Sequence, residues 1–320
     1  MGRSEGPDGA ERSKAAETEI SGFALPVTTA DIQVTRPRRS FLFVPGTGLD
    51  MLPKALAAAP DIICVDLEDA IAPQHKAVAR RDTLAAFGAL PENPAGCELV
   101  VRINSLRTPD GLADVLAVLE SPSPPPSLML PKIKSADEVR LLDELLGQAA
   151  APIRLQVIIE TNDGLERCHE IAQASERIDA LLFGGADMAA ELRVEPSWEA
   201  LLYARSRLVH AAASAQIDLI DVPYLDLEDM AGLEREAALC AKLGMTGKGA
   251  IHPKQLAIIE RHFSPGDAQI AHARHLTTAF EQADGGLLVV DGKLIEKPVL
   301  RSQYRILAIA ERLRQRHRHD

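Results

Sequence analysis

The feature that most constrains the fold is the alternation of short apolar segments with longer segments of helical periodicity. From Phe41 onward the chain contains eight apolar segments, at 41–44, 62–67, 99–103, 128–130, 155–159, 180–183, 218–222 and 247–251. Most of them are continuously apolar, which is typical of strands buried on both faces of a parallel sheet. The sequence therefore predicts eight successive βα units, which form either a closed barrel or a large doubly wound sheet.

Segments with helical spacing separate the predicted strands. They cover residues 51–59, 74–87, 110–119, 136–146, 164–174, 199–213 and 228–243. Ser135 and Glu138 have the spacing of a capping box, which predicts a helix start. Gly244 stands where a C-terminal glycine ends the last of these helices.

Polar residues follow nearly every predicted strand, and this favours the barrel, whose active sites collect at the carboxyl ends of the strands. The sequence thus predicts an α/β fold, a (β/α)₈ TIM barrel, over residues 38–264. Residues 265–320 predict a small C-terminal appendage with a helix near 268–281, a hairpin at 287–295 and a final helix from about Val299. Residues 1–37 lack the apolar core of a signal peptide and predict a disordered extension.

Composition narrows the class of function. The net charge of −11 and the aromatic content of 3% argue against a protein that binds phosphate backbones or stacks nucleic-acid bases. No apolar run approaches the roughly 20 residues of a membrane-spanning helix. Four dispersed cysteines without CxxC spacing predict free buried thiols in a reducing cytoplasm: Cys64, Cys97, Cys168 and Cys240. We therefore expect a cytoplasmic protein that binds neither nucleic acid nor membranes.

Charged residues converge at the predicted carboxyl ends of the strands. They include Glu68, Asp69, Arg102, Lys132, Glu160, Asp187 and His252. A charge at the end of a buried strand is costly unless it is paired or bound to a metal. Glu160 and Asp187 follow adjacent strands, and Mg²⁺ typically takes one or two protein carboxylates with water and substrate oxygens. The scarcity of imidazoles nearby argues against zinc.

Several of these residues also have a purely structural interpretation. Glu68 and Asp69 could support the site from a second shell or cap the next helix. Lys132 could contact the substrate or form an internal ion pair. His252 precedes Pro253 at a helix start, which favours a structural role over proton transfer, and it is also a candidate for substrate contact. Glu160 could by itself be an architectural ion-pair partner.

Six motifs occur in one order along the chain. They are the segments 39–46 (RSFLFVPG), 66–69 (DLED), 101–104 (VRIN), 130–132 (LPK), 159–161 (IET) and 251–253 (IHP). From about Arg39 to the C-terminus the chain resembles the citrate lyase β-subunit and malyl-CoA lyase family. The resemblance implies a TIM barrel that binds Mg²⁺ and assembles as trimers or hexamers. It also implies cleavage or formation of a carbon–carbon bond next to a thioester or 2-oxo acid.

Carried over by position, the resemblance implies that Glu160 and Asp187 ligate Mg²⁺. Arg102 would bind the carboxylate and oxygen of the small oxo acid. Phe43 and Lys54 occupy positions at which relatives contact coenzyme A. This assignment agrees with what such a cleavage requires. A cation must polarise the oxo-acid oxygen, an arginine must neutralise the carboxylate, and an acid/base group must transfer the proton.

Three positions depart from the family pattern. Ala186 stands where relatives have a glutamate beside the metal-ligating aspartate, and Gly48 stands where many malyl-CoA lyases have an arginine. Several relatives supply an acid/base aspartate, followed by proline, to a neighbouring subunit. Here Glu296 takes that place in the segment Lys293–Pro298, with Asp291 as a weaker alternative.

The sequence therefore predicts an Mg²⁺-dependent lyase for hydroxyacyl-CoA thioesters such as malyl-CoA, citramalyl-CoA or citryl-CoA. One alternative is a class II aldolase that releases pyruvate from a hydroxy-oxo acid. The other is a catalytically weakened paralogue that acts as a subunit or binding protein, with an acyl carrier protein as a possible partner. Retention of Glu160, Asp187 and Arg102 argues against the paralogue.

Overall fold

A computed structural model describes residues 36–90, 96–282, 288–290, 293–295 and 297–316. Eight parallel strands close into a barrel in chain order. They are β1 (Ser40–Pro45), β2 (Ile62–Asp66), β3 (Glu98–Arg102), β4 (Ser127–Leu130), β5 (Arg154–Ile159), β6 (Ile178–Phe183), β7 (Asp218–Asp221) and β8 (Gly247–Ala250). The predicted (β/α)₈ barrel is confirmed, and each predicted strand overlaps an observed one.

Successive side chains along each strand point alternately into the barrel interior and outward toward the surrounding helices. The interior is filled by apolar side chains: Phe41, Ile62, Cys64, Val100, Met129, Ile158, Ala180, Leu182 and Ile220. At the amino-terminal face, Arg38 forms ion pairs with Glu98 at 2.7 Å, Asp179 at 2.9 Å and Asp218 at 3.1 Å. This end of the barrel is therefore closed by a buried ion-pair network, which is expected to serve stability.

Helices surround the barrel. They are α1 (Leu52–Ala57), α2 (Lys76–Ala89), α3 (Pro109–Glu120), α4 (Ala136–Gln148), α5 (Asn162–Glu166), α6 (Cys168–Ala172), α7 (Gly185–Leu192), α8 (Trp198–Ala215), α9 (Met230–Leu243) and α10 (Leu256–Phe263). The helix predicted at 164–174 divides at Arg167 into α5 and α6. The helices α7 and α10, of eight residues each, lie outside the predicted helical segments.

Local capping explains where several helices begin and end. The capping box of Ser135 and Glu138 is present at the start of α4, as predicted. The side chain of Thr161 accepts a hydrogen bond from the backbone N–H of Gly164 and so caps α5 directly after β5. Gly244 ends α9 with a φ of 109°, a left-handed conformation that favours glycine.

The C-terminal region adds a helix, a hairpin and a second helix to the barrel. Helix α11 spans Asp267–Gln282, the antiparallel strands β9 (Leu288–Val290) and β10 (Lys293–Ile295) pair, and α12 spans Lys297–Arg316. Their buried side chains form a separate small cluster: Leu276, Val290, Ile295, Leu300 and Tyr304. The predicted helix, hairpin and final helix are thus confirmed within the described residues.

The structure also bears on the predictions for the N-terminal extension, the cysteines and membrane-spanning helices. The extension predicted for residues 1–37 lies, except for its last two residues, outside the described residues. All four cysteines are buried free thiols, as predicted. None of the helices in the described ranges combines the length and apolar character needed to cross a membrane.

Candidate active site

The barrel geometry brings three charged side chains into its carboxyl-terminal mouth. Asp66, Arg102 and Glu160 lie two residues beyond Cys64, Val100 and Ile158, whose side chains fill the barrel interior. Because side chains alternate along a strand, the charged residues continue the same inward-facing columns. A cavity of about 420 Å³ opens here, and its lining includes Phe43, Asp66, Asp69, Arg102, Glu160, Gly184, Ala186, Asp187, Val222, Pro223, Leu225 and Ile251.

Glu160 is a buried carboxylate on this cavity wall. Its Oε1 accepts a hydrogen bond from the backbone N–H of Lys132 at 2.7 Å. Burial, together with repulsion from Glu68 and Asp187, raises the pKa of Glu160 to about 8. A Cβ atom at Gly184 would lie 2.3 Å from the Cβ and 2.5 Å from Oε2 of Glu160. The absence of a side chain at position 184 therefore makes room for this carboxylate.

Asp187 approaches from the next element, in the first turn of α7. Its side chain is half-buried and lines the cavity together with exposed Ala186 and with Glu160. The amino-terminal end of a helix favours negative charge. The β6–α7 turn therefore places a second carboxylate beside Glu160, whose pKa responds to it.

Arg102 is held by two carboxylates and an aromatic ring. Its Nε and Nη2 donate to Oδ1 and Oδ2 of Asp66 at 2.7 and 2.6 Å, and its Nη1 lies 3.0 Å from Oε2 of Glu68. The guanidinium carbon lies 5.3 Å from the centre of the Phe43 ring, within the range of a cation–π contact. Burial opposes the charge of Arg102, but the hydrogen bonds and attraction to Asp66 raise its pKa, so it stays cationic.

Lys132 links the β2 and β5 sides of the mouth. Its Nζ donates to Glu68 at 2.6 Å and to Asp69 at 3.1 Å, while its backbone N–H binds Glu160. A φ of 56° puts Lys132 in the left-handed region, where non-glycine residues are uncommon. Burial alone would lower the pKa of Lys132, but the hydrogen bond to Glu68 raises it. The structure thus shows Lys132 in an ion pair with Glu68 and Asp69, and substrate contact by Lys132 stays a prediction.

The remaining predicted residues lie at different distances from this centre. Phe43 lines the cavity, whereas Lys54 is an exposed residue of α1 outside its lining. Nδ1 of His252 accepts a hydrogen bond from the backbone N–H of Lys254 at 3.0 Å, so His252 caps a short 3₁₀ helix. Gly48 lies between β1 and α1. Glu296 and Asp291 lie outside the described residues.

The balance of charge at this end of the barrel favours a cation. Five carboxylates share only two cationic side chains in the contacts seen here: Asp66, Glu68, Asp69, Glu160 and Asp187 against Arg102 and Lys132. Arg102 and Lys132 contact the first three of these. Within the described ranges, no group of three or more His, Cys, Asp or Glu side chains is arranged to hold a metal. The pair Glu160 and Asp187 fits Mg²⁺, which needs only one or two protein carboxylates.

Sequence reasoning missed two contributors to the site. In the sequence, Asp66 is only the first residue of the motif at 66–69, yet in the structure it forms the shortest contacts with Arg102. Asp66 pairs with Arg102 across β2 and β3, and this register becomes visible only in the folded barrel. Gly184 lies against Glu160, and this contact depends on a close approach of the segments after β5 and β6 that no local sequence pattern reveals.

Comparison with known proteins identifies the family and relatives of this chain. The family model described as HpcH/HpaI aldolase/citrate lyase matches residues 39–253. The L-malyl-CoA/beta-methylmalyl-CoA lyase of Cereibacter sphaeroides is 33% identical over 290 residues, covering 82% of this chain and 91% of that protein. The citrate lyase subunit beta of Escherichia coli is 33% identical over 291 residues, covering 87% of this chain and 94% of that subunit.

The fold has counterparts among solved structures. The CitE protein of Mycobacterium tuberculosis, crystallised with magnesium, acetoacetate and coenzyme A, superposes with a TM-score of 0.69 at 27% identity. The match covers 86% of this chain and 98% of that one. The length of the family match and the identity to the two lyases are sufficient to assign the family. The chain belongs to the HpcH/HpaI aldolase/citrate lyase family.

Proposed function

We propose that the protein is an Mg²⁺-dependent carbon–carbon lyase that cleaves, or in reverse forms, a hydroxyacyl-CoA thioester. Candidate substrates are malyl-CoA, citramalyl-CoA and citryl-CoA, each of which separates into an acyl thioester and a small oxo acid. The observation that carries the proposal is the convergence of Glu160, Asp187 and Arg102 on one cavity. The relatives named as malyl-CoA lyase and citrate lyase subunit beta support the reaction class.

The two carboxylates would hold the cation. Glu160 is buried and Asp187 is half-buried, and neither forms a salt bridge with a cationic side chain of the described residues. When bound, Mg²⁺ supplies polarisation of the oxo-acid oxygen and stabilises negative charge that develops there. Burial and the neighbouring carboxylates of Glu68 and Asp187 disfavour the charged form of Glu160 and raise its pKa, and a bound cation would offset that cost.

Arg102 would bind the carboxylate of the oxo acid. Asp66 and Glu68 fix the guanidinium plane, and the side chain still lines the cavity. A planar, permanently charged donor suits a carboxylate better than a lysine does. Phe43 and Lys54 are proposed to contact coenzyme A, and Glu296 is proposed to act as acid/base in a neighbouring subunit of a trimer or hexamer.

The test is a substrate panel. Purified protein would be incubated with Mg²⁺ and a series of hydroxyacyl-CoA esters and free hydroxy-oxo acids, and both products would be quantified. We expect oxo acid and acyl-CoA in equal amounts from at least one thioester, with no release by Glu160→Gln protein. Cleavage of free hydroxy-oxo acids alone would indicate the aldolase instead. Absence of cleavage across the panel would contradict the proposal.

A further inference from the structure

The loops after β7 and β8 present large apolar side chains to the cavity. Leu225 is 65% exposed and Ile251 is 39% exposed, and both line the cavity together with Val222 and Pro223. These four residues are called the apolar wall below. Isolated exposed leucines are common on protein surfaces, but apolar residues grouped at the edge of a cavity are typical of a ligand-binding site.

The apolar wall is built rigidly. Gln255 is fully buried, and its Nε2 donates to the backbone carbonyl of Tyr224 at 2.7 Å. Its Oε1 accepts from the backbone N–H groups of Ile251 at 2.8 Å and His252 at 3.3 Å. One amide group therefore joins the loop that carries Leu225 to the loop that carries Ile251. The hydroxyl of Tyr224 also donates to Asp229 at 2.7 Å, which braces the β7–α9 loop.

The β7 side of the apolar wall lies across the barrel from Arg102, whereas Asp187 follows β6, the strand next to β7. In the closed order β1 to β8, strand β7 is four strands away from β3, which carries Arg102. A Cβ at Gly249 would lie 2.6 Å from Cγ of Pro223, so the loop after β7 packs tightly against strand β8 at this position. A substrate that spans the cavity from Arg102 would bring its opposite end to Leu225 and Ile251.

We propose that Leu225 and Ile251 determine specificity by binding the alkyl part of the acyl group carried by the thioester. Gln255 is the positioning residue that holds the two loops in register. This inference rests on the proposed function for the orientation of the substrate. It extends that function by naming the substrate class: thioesters whose acyl group has more carbon atoms than acetyl bind better than acetyl thioesters.

Calorimetric titration of acetyl-CoA, propionyl-CoA and butyryl-CoA in the presence of Mg²⁺ tests the apolar wall without requiring turnover. In wild-type protein we expect each added methylene to raise affinity by about fourfold, the value for one buried CH₂. The double variant Leu225→Gln, Ile251→Thr should lose most of this chain-length dependence. Leu141→Gln is the matched control, because Leu141 is 61% exposed on α4, outside the cavity lining.

Gln255→Glu tests the positioning role. It keeps the oxygen that accepts from Ile251 and His252 but removes the N–H group that donates to the carbonyl of Tyr224. We expect this variant to lose chain-length dependence while its affinity for free coenzyme A stays unchanged. Equal affinity for the three thioesters in wild type, or undiminished dependence in the double variant, would overturn the inference. The cleavage assay separates the two ideas: a chain-length effect without cleavage refutes only the proposed function, and cleavage without a chain-length effect refutes only the apolar wall.

Discussion

The guanidinium of Arg102 and the carboxylate of Asp66 form two hydrogen bonds, Nε to Oδ1 at 2.7 Å and Nη2 to Oδ2 at 2.6 Å. The two residues pair across β2 and β3, so strand register brings them together. The bidentate face of Arg102 is therefore occupied by Asp66, and Nη1 lies near Glu68. Because the guanidinium is already oriented, substrate binding does not incur the entropy cost of ordering the Arg102 side chain.

Arg102→Lys should be a severe change although it conserves charge. Lysine lacks the planar fork, so it cannot satisfy both oxygens of Asp66 and also face a substrate carboxylate. We expect kcat/KM to fall by the equivalent of about 2 kcal/mol or more in transition-state stabilisation. Arg107→Lys is the control, because Arg107 forms its ion pair with Glu138 from an exposed position. Wild-type kinetics in Arg102→Lys would remove Arg102 from the site.

Gly184→Ala should displace Glu160, because the new Cβ would lie 2.3 Å from the Cβ of Glu160. We expect Mg²⁺ affinity to fall by about 10- to 100-fold, as for other residues that support metal ligands. Gly147→Ala is the matched control, since a Cβ there meets no atom within 4 Å. It should leave metal binding intact and stabilise α4 by up to about 1 kcal/mol. Equal Mg²⁺ affinity in the two variants would contradict this role for Gly184.

The barrel could be predicted from sequence because most of its buried strands are continuous apolar segments, which are recognised without information from distant residues. The carboxyl-end rule for barrels then placed Arg102 and Glu160 at one mouth. The pairing of Asp66 with Arg102 could not be predicted in the same way, since it depends on the register between β2 and β3. The left-handed backbone of Lys132 and the close approach of Gly184 to Glu160 likewise arise from tertiary packing.

Stability should depend on pH through Asp221, which is buried against Nζ of Lys248 at 2.6 Å and Nε of Arg205 at 2.9 Å. Burial would raise the pKa of Asp221, but attraction to Lys248 and Arg205 holds it below the ordinary value of 3.8. The carboxylate therefore contributes stability above that ordinary value and loses the contribution as pH falls through its folded-state pKa.

Asp221→Asn should consequently destabilise the protein by about 3–5 kcal/mol near pH 7, because it leaves buried cations without their partner. The penalty should shrink as pH falls below 3.8, because the unfolded wild-type chain then binds a proton at Asp221 that the folded protein does not. Urea unfolding between pH 3 and pH 7 measures this difference. The control is Asp137→Asn, because Asp137 is an exposed residue of α4. This variant should change stability by less than about 0.5 kcal/mol at every pH in the series. A penalty independent of pH would contradict the assignment.

The proposed acid/base role of Glu296 predicts complementation between inactive subunits. Glu296→Gln and Asp187→Asn proteins should each be inactive, and mixing them under conditions of subunit exchange should restore activity. Recovery follows because some mixed sites contain an intact Asp187 from one chain and an intact Glu296 from another. A Glu296 that works within its own chain gives no recovery on mixing. Full activity of Glu296→Gln alone would exclude the catalytic role.

The central claim is that Glu160 and Asp187 hold a magnesium ion required for carbon–carbon cleavage. The most direct measurement combines Mg²⁺ titration calorimetry with oxo-acid release for wild-type and Asp187→Asn proteins, with and without excess EDTA. Asp187→Asn should fold normally, since it removes a charge that repels Glu160. We expect EDTA to abolish release by wild type, added Mg²⁺ to restore it, and Asp187→Asn to bind Mg²⁺ much more weakly. Full wild-type activity in excess EDTA, or unchanged Mg²⁺ affinity in Asp187→Asn, would contradict the claim.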